Sequence, residues 1–364
     1  MSLPDKPRAN LAPPARALAA SAVELTRRLT WRTLHPADRE SFVEAPRPAP
    51  VSRLPYETVD GWRAPLFCVQ ASATGAGEPV IVSHALGLGP DAYRYGSGVP
   101  LAKALAARGF SVFLMTHRGD RDAHGPSGTP MDFDAIVERD VPAALAAVRE
   151  HTGFHKVHWV GHGLGGQLGL VAAARGEALA SVVAMGSPVR FKRPATEVQQ
   201  AALLMRLLPD GWKIPASTLA RLALPVLGAE EWFGGAPGAR VRGVMEYASE
   251  SITLGLIDQL RSWITEGTLS SRAGVVDYTA TFADAEVPLL VVFSTESRLA
   301  GRGPTTAALS TWGHPDALAL PVPGRSMDLV LGADRERDVF GPLGGWLVER
   351  RRLAWRAEFQ RRCG

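Results

Sequence analysis

Between residues 60 and 190 the apolar positions fall into short blocks of two kinds. The runs at 79–84, 110–116, 155–160 and 180–185 are apolar with little alternation, as strands buried on both faces are. Between them, 99–108, 134–150 and 164–175 read as helices. The second places Ile136, Val137, Val141, Leu145 and Val148 on one side, and the third is built from small residues. Gly109 stands where a C-cap closes the first. Such alternation predicts an α/β fold, a mostly parallel, doubly wound sheet. The rhythm stops near Pro188. Residues 190–270 are helical in character and carry Trp212, Trp232, Phe233 and Trp263. Strand patterns return at 288–293 and 317–322, and a last helix begins near Asp338. An insertion between late strands predicts a helical lid over their carboxyl ends, where open α/β sheets bind ligands. The expected organisation is a core at 56–187 and 286–364, a lid at 188–285, and a Pro/Ala-rich N-terminal extension at 1–55. A helix is expected at 15–29 of that extension. Pro46, Pro48, Pro50 and Pro55 interrupt regular structure in the rest.

The most informative segment is His158-Trp159-Val160-Gly161-His162-Gly163-Leu164-Gly165-Gly166, a strand running through a glycine-rich turn into a helix. It resembles the nucleophile elbow of the α/β-hydrolase family, Gly-x-nucleophile-x-Gly, and in particular of its lidded lipase and esterase branches. Aligned on Gly161 and Gly165, the nucleophile position is Gly163, which has no hydroxyl to form an acyl-enzyme. By the same resemblance the family's acid falls at Ser297, with Glu296 one residue away, and its histidine at Ser326 in Gly324-Arg325-Ser326-Met327-Asp328-Leu329. His314 precedes the last strand and is badly placed to substitute. All three triad positions are therefore expected to be degenerate, which closes the usual acyl-transfer route.

Ser83-His84-Ala85-Leu86-Gly87 resembles the family's His-Gly oxyanion loop, with Ala85 for the Gly. The resemblance implies an oxyanion hole made by the backbone N–H groups of Leu164 and Leu86, which survives loss of side chains. His84 is read either as a ligand-binding candidate or as a structural residue bonded to nearby backbone. His162, beside the empty position, is common in active relatives. Thr116-His117-Arg118-Gly119-Asp120 resembles the turn whose Arg ties loops together.

Composition narrows the classes. Of 364 residues 46% are hydrophobic, with 9 Trp and 12 Phe, so the chain can bury a core and is not disordered throughout. No apolar run is long enough to span a membrane, and residues 1–10 lack the apolar core of a secretory signal. With only two cysteines, Cys68 and Cys363, these features predict a cytoplasmic protein. The formal charge is +4, and Arg350, Arg351, Arg352, Arg356, Arg361 and Arg362 crowd the C-terminus. They form either a solvated helix or a docking patch for an acidic partner or membrane surface. His117 with His124, and His151 with His155 and His158, lack the geometry of a metal site, so no metal is expected. Gly161–Gly166 lacks the Lys and Ser/Thr of a phosphate loop, and no acidic residue completes a dinucleotide fingerprint, so no cofactor is expected. Nothing points to nucleic acid. Three functions remain open: a pseudo-hydrolase binding an apolar or acyl ligand or a protein partner; an enzyme using the pocket for cyclase- or lyase-type chemistry through Glu296, His84 or Asp328; and a hydrolase with another nucleophile.

Overall fold

A computed structural model describes residues 52–69, 77–94, 98–191, 213–215, 244, 248–297 and 301–351. The helix expected at 15–29, most of the expected lid with Trp212, Trp232 and Phe233, and the arginines beyond Arg351 lie outside these residues.

Eight strands form the main sheet: β1 (Ser52–Glu57), β2 (Arg63–Val69), β3 (Pro79–Ser83), β4 (Ser111–Met115), β5 (Val157–His162), β6 (Leu179–Met185), and, after two short strands outside this sheet, β9 (Leu289–Ser294) and β10 (Ala317–Val322). The order is β1-β2-β4-β3-β5-β6-β9-β10. β1 and β2 form an antiparallel hairpin and β2 joins β4 antiparallel. The remaining neighbours are parallel, as expected of apolar strands linked by helices. The hairpin is a difference from the sequence reading. Pro55 sits inside β1 and pairs with Pro65. β1 ends the strand order, and an edge strand tolerates a residue that cannot donate to the ladder.

Both faces of the sheet are covered. Ile81 and Trp159 point into one core with the helix that runs from Phe133–Ala135 through a π turn (Ile136–Asp140) to Val141–Thr152, and with the helix Leu164–Ala174. Val80, Val82 and Val160 point the other way, against the helix Leu101–Ala106 and the last helix, 341–351. That alternation along single strands is what two covered faces require. The π turn places Asp140 under Arg118, whose side chain is fully buried. Arg118 donates from Nε to Asp140 Oδ1 at 2.9 Å and from Nη1 to Asp60 Oδ2 at 2.9 Å, tying the hairpin turn, the β4 loop and this helix together. The expected tying role of Arg118 is thus seen directly.

Of the inserted region, β7 (Lys213–Pro215) pairs antiparallel with β8 (Ser251–Thr253), which leads into the helix Leu254–Glu266. Two of the C-terminal arginines are absorbed by the fold. Arg350 chelates Asp316 and lies 4.0 Å from the Trp346 ring centroid, and Arg351 covers the Phe110 ring. No described helix is long and apolar enough to cross a membrane.

Candidate functional site

The parallel strands all end at one edge of the sheet, so the loops after β3, β4, β5, β9 and β10 gather there. At the end of β5 the chain turns through Gly163 and enters the helix Leu164–Ala174. Gly163 has φ 53° and ψ −114°, a conformation that costs an L-residue strain. Its flanking glycines allow the close approach. A Cβ on Gly161 would collide with the Gly165 carbonyl, and one on Gly165 with the Ser83 carbonyl. The strained strand-turn-helix geometry is intact, and only the side chain at its apex is missing. A Cβ placed on Gly163 would lie 3.0 Å from the Ala85 Cβ, so the Ala85 methyl occupies the space beside it.

Ala85 begins a turn closed by a hydrogen bond from Leu88 N–H to its carbonyl, 3.0 Å, with Gly87 at φ 77°. The Ala85 N–H donates to Tyr93 Oη at 3.1 Å. Tyr93 Oη lies 2.9 Å from His162 Nδ1. His162 donates its other ring N–H to the Ser326 backbone, so its proton sits on Nε2 and Nδ1 accepts from the Tyr93 hydroxyl. Burial pushes its pKa down to about 4, so it is neutral at physiological pH. Among the described residues, the N–H groups of Leu86 and Leu164 find no acceptor. These are the two donors expected of the oxyanion hole.

Behind this loop lies a buried polar cluster. His84 Nε2 is 2.9 Å from Asp120 Oδ2, and His84 Nδ1 is 3.1 Å from the Ala85 carbonyl. The His117 ring stacks on His84 at 3.8 Å between centroids, and its Nε2 meets Ser83 Oγ at 2.8 Å. Burial works against a charge on His84, but Asp120, the Ala85 carbonyl and Glu250 outweigh it and hold its pKa above the ordinary value. Burial and the neighbouring His84 push His117 well below. The two shifts run in opposite directions, so His84 is the member of the stacked pair that takes up a proton more readily. Glu250 returns from the inserted region. Its carboxylate accepts from Arg121 N–H at 3.0 Å and from Arg121 Nε at 2.5 Å, while its own N–H donates to the Gly87 carbonyl at 3.0 Å. Burial and then the nearby Asp120 raise its pKa. His117 and Asp120 lie in the turn read for its Arg118, and sequence reasoning did not link them to His84; Tyr93 and Glu250 come from separate segments with no motif to announce them.

His84, His117 and Asp120 bring metal-ligating atoms within 4.8 Å of one another. They do not suit an ion. The stacked rings cannot both aim in-plane lone pairs at one point, and the atoms concerned are engaged in hydrogen bonds.

The remaining expected positions lie at the same edge without forming a triad. Ser297 is buried, and its N–H donates to Ser294 Oγ at 3.2 Å. Ser326 is half-buried and meets His162 through its backbone. Glu296 is exposed and accepts from Gly324 N–H at 3.1 Å, holding the turn after β10. Asp328 is buried and accepts from Arg325 N–H at 2.8 Å. A serine–histidine–carboxylate chain does occur elsewhere: Ser181 Oγ and Glu78 Oε2 flank His158 at 2.8 and 2.9 Å. It sits toward the opposite edge of the sheet, and both Ser181 and His158 are buried, so no substrate reaches it.

A family model described as the alpha/beta hydrolase fold matches residues 78–220. Human "Lipase member N" is 30% identical over 157 residues, which cover 38% of this chain and 39% of that protein. Bovine "Gastric triacylglycerol lipase" is 27% identical over 140 residues, covering 35% of each chain. The chain thus spans about two fifths of the length of the curated relatives it matches. Among solved structures, a bacterial membrane phospholipase A superposes with a TM-score of 0.57 at 15% identity, covering 92% of each chain. The Paleococcus ferrophilus monoacylglycerol lipase superposes with a TM-score of 0.56 at 16% identity, covering 78% of this chain and 99% of that one. With the strand order and the turn through Gly163, these matches show that the chain has the α/β-hydrolase fold.

Proposed function

We propose that this protein does not run serine-hydrolase turnover and instead binds an apolar acyl ligand at the carboxyl edge of its sheet. The observation that carries the reading is the apex of the turn. Position 163 is a glycine at φ 53°, and the Ala85 methyl stands 3.0 Å from where its Cβ would be. A lost nucleophile alone would leave a gap; here a neighbour packs beside the vacant position, as in a site adapted to having no side chain there. The nearby serines and histidines do not replace the triad: Ser326 offers its backbone to His162, and His162 is held neutral with Nδ1 committed to Tyr93. The two backbone donors, Leu86 and Leu164, remain able to hold a carbonyl or carboxylate oxygen. The lipase-like relatives favour an acyl chain as the apolar part of the ligand.

The test is hydrolysis of p-nitrophenyl esters of graded chain length by the wild-type protein, beside Gly163→Ala, with mass spectrometry of whatever the purified protein retains. The expected result is no turnover above buffer and a retained or added acyl compound. Saturable turnover by the wild-type protein would contradict the reading.

A further inference from the structure

Resting on that reading, we propose that the ligand's head group is a carboxylate, and that His84, as an imidazolium, is the positioning residue that aims the Leu86 N–H at it.

The argument starts from hydrogen-bond accounting around one ring. His84 Nδ1 faces the Ala85 carbonyl and Nε2 faces the Asp120 carboxylate, and both partners are acceptors. A neutral imidazole has only one N–H, so one contact would set lone pair against lone pair in a buried site. Only the doubly protonated ring satisfies both. Its raised pKa agrees, and the stacked His117 stays neutral beside it. The charged and titratable groups facing His84 are Asp120 and His117 from the β4 loop, Glu250 from the returning segment, and His162 from the end of β5, whose own pKa His84 helps to lower. Arg121 balances Glu250.

The consequence runs through one peptide. The Ala85 carbonyl and the Leu86 N–H belong to the same trans amide, so they point in opposite directions. The Ala85 carbonyl accepts from both His84 and Leu88. The Leu86 N–H is thereby directed away from the imidazolium. A charged donor on the carbonyl also polarises the amide, which strengthens the N–H on its other side. The ion pair is ordered with its positive member toward the oxyanion loop and Asp120 behind it. A ligand bearing full negative charge gains more from this arrangement than a neutral ester does.

Two measurements test this. In protein labelled with 15N-histidine, long-range 1H–15N spectra at pH 7 are expected to show both His84 ring nitrogens carrying protons; a neutral tautomer overturns the proposal. Calorimetric titration then compares dodecanoate with methyl dodecanoate, on wild-type protein and on His84→Gln. Dodecanoate is expected to bind about tenfold more tightly than the ester to the wild type, with that preference lost in His84→Gln. The wild-type preference holds at low pH, with the probe ionised, and fades as pH rises through the raised pKa of His84. Equal affinity for acid and ester, or a preference that grows with pH, overturns the carboxylate assignment and leaves acyl binding standing. Failure of both probes to bind contradicts acyl binding itself, while the spectra still decide the charge on His84. If His84→Gln does not fold, the wild-type pH series and the spectra carry the test.

Discussion

Adding one methyl group at the apex of the turn probes its geometry directly. Gly163→Ala places a Cβ on a residue at φ 53°, where an L-residue is strained by roughly 1–3 kcal/mol. The same Cβ meets the Ala85 Cβ at 3.0 Å, closer than real Cβ atoms ordinarily sit. The expected loss is about 2–3 kcal/mol in urea unfolding, at unchanged slope. The contact part is separable. Ala85→Gly removes the methyl and costs on its own about 0.5–1 kcal/mol through chain entropy. In the double variant the crowding is gone, so it loses less than the sum of the two single losses, by a coupling of about 0.5–1 kcal/mol. A neutral or stabilising Gly163→Ala, or strict additivity with Ala85→Gly, would refute both the left-handed turn and the packing of Ala85 against it.

The other predictions concern chemistry, acid sensitivity and the buried arginine. Gly163→Ser alone is expected to show no esterase turnover, because no base faces it; turnover would appear only after Ala85→Gly, Ser326→His and Ser297→Asp are added, and an active single variant in a p-nitrophenyl ester assay would expose an overlooked base. His162, held to about 4 against an ordinary 6.5, takes up a proton far more readily when unfolded. It lowers stability as pH falls from 6.5 toward 4, by up to about 3 kcal/mol. His84 works the other way, adding stability at low pH that is lost as pH rises through its raised pKa. Urea unfolding across pH 4–7 should show a shallower acid loss in His162→Gln than in the wild type. Asp140→Asn leaves the buried Arg118 poorly balanced and is expected to cost about 3–5 kcal/mol in the same assay, far more than Arg63→Gln at its exposed pair with Glu57.

The sheet was legible in the sequence because buried parallel strands are dense apolar runs, and the elbow because close backbone approach demands Gly161 and Gly165 at fixed spacing. Pro55 misled because a local rule against regular structure gives way at a sheet edge. The His84 cluster was not legible. Its partners arrive from the β4 loop and from a segment more than a hundred residues later, and only the fold brings Glu250 beside Arg121. Glu296 shows the limit of alignment by position: one residue from the expected acid, its carboxylate turns outward to cap the loop after β10. Tyr93 carried no motif, yet it holds both the Ala85 N–H and His162 Nδ1.

The central claim is that the turn at Gly163 holds no nucleophile and none replaces it nearby. Intact-mass analysis of the wild-type protein after exposure to a fluorophosphonate probe tests it most directly. An unchanged mass is the predicted result. Stoichiometric addition of the probe, localised to a serine at the carboxyl edge of the sheet, would contradict it.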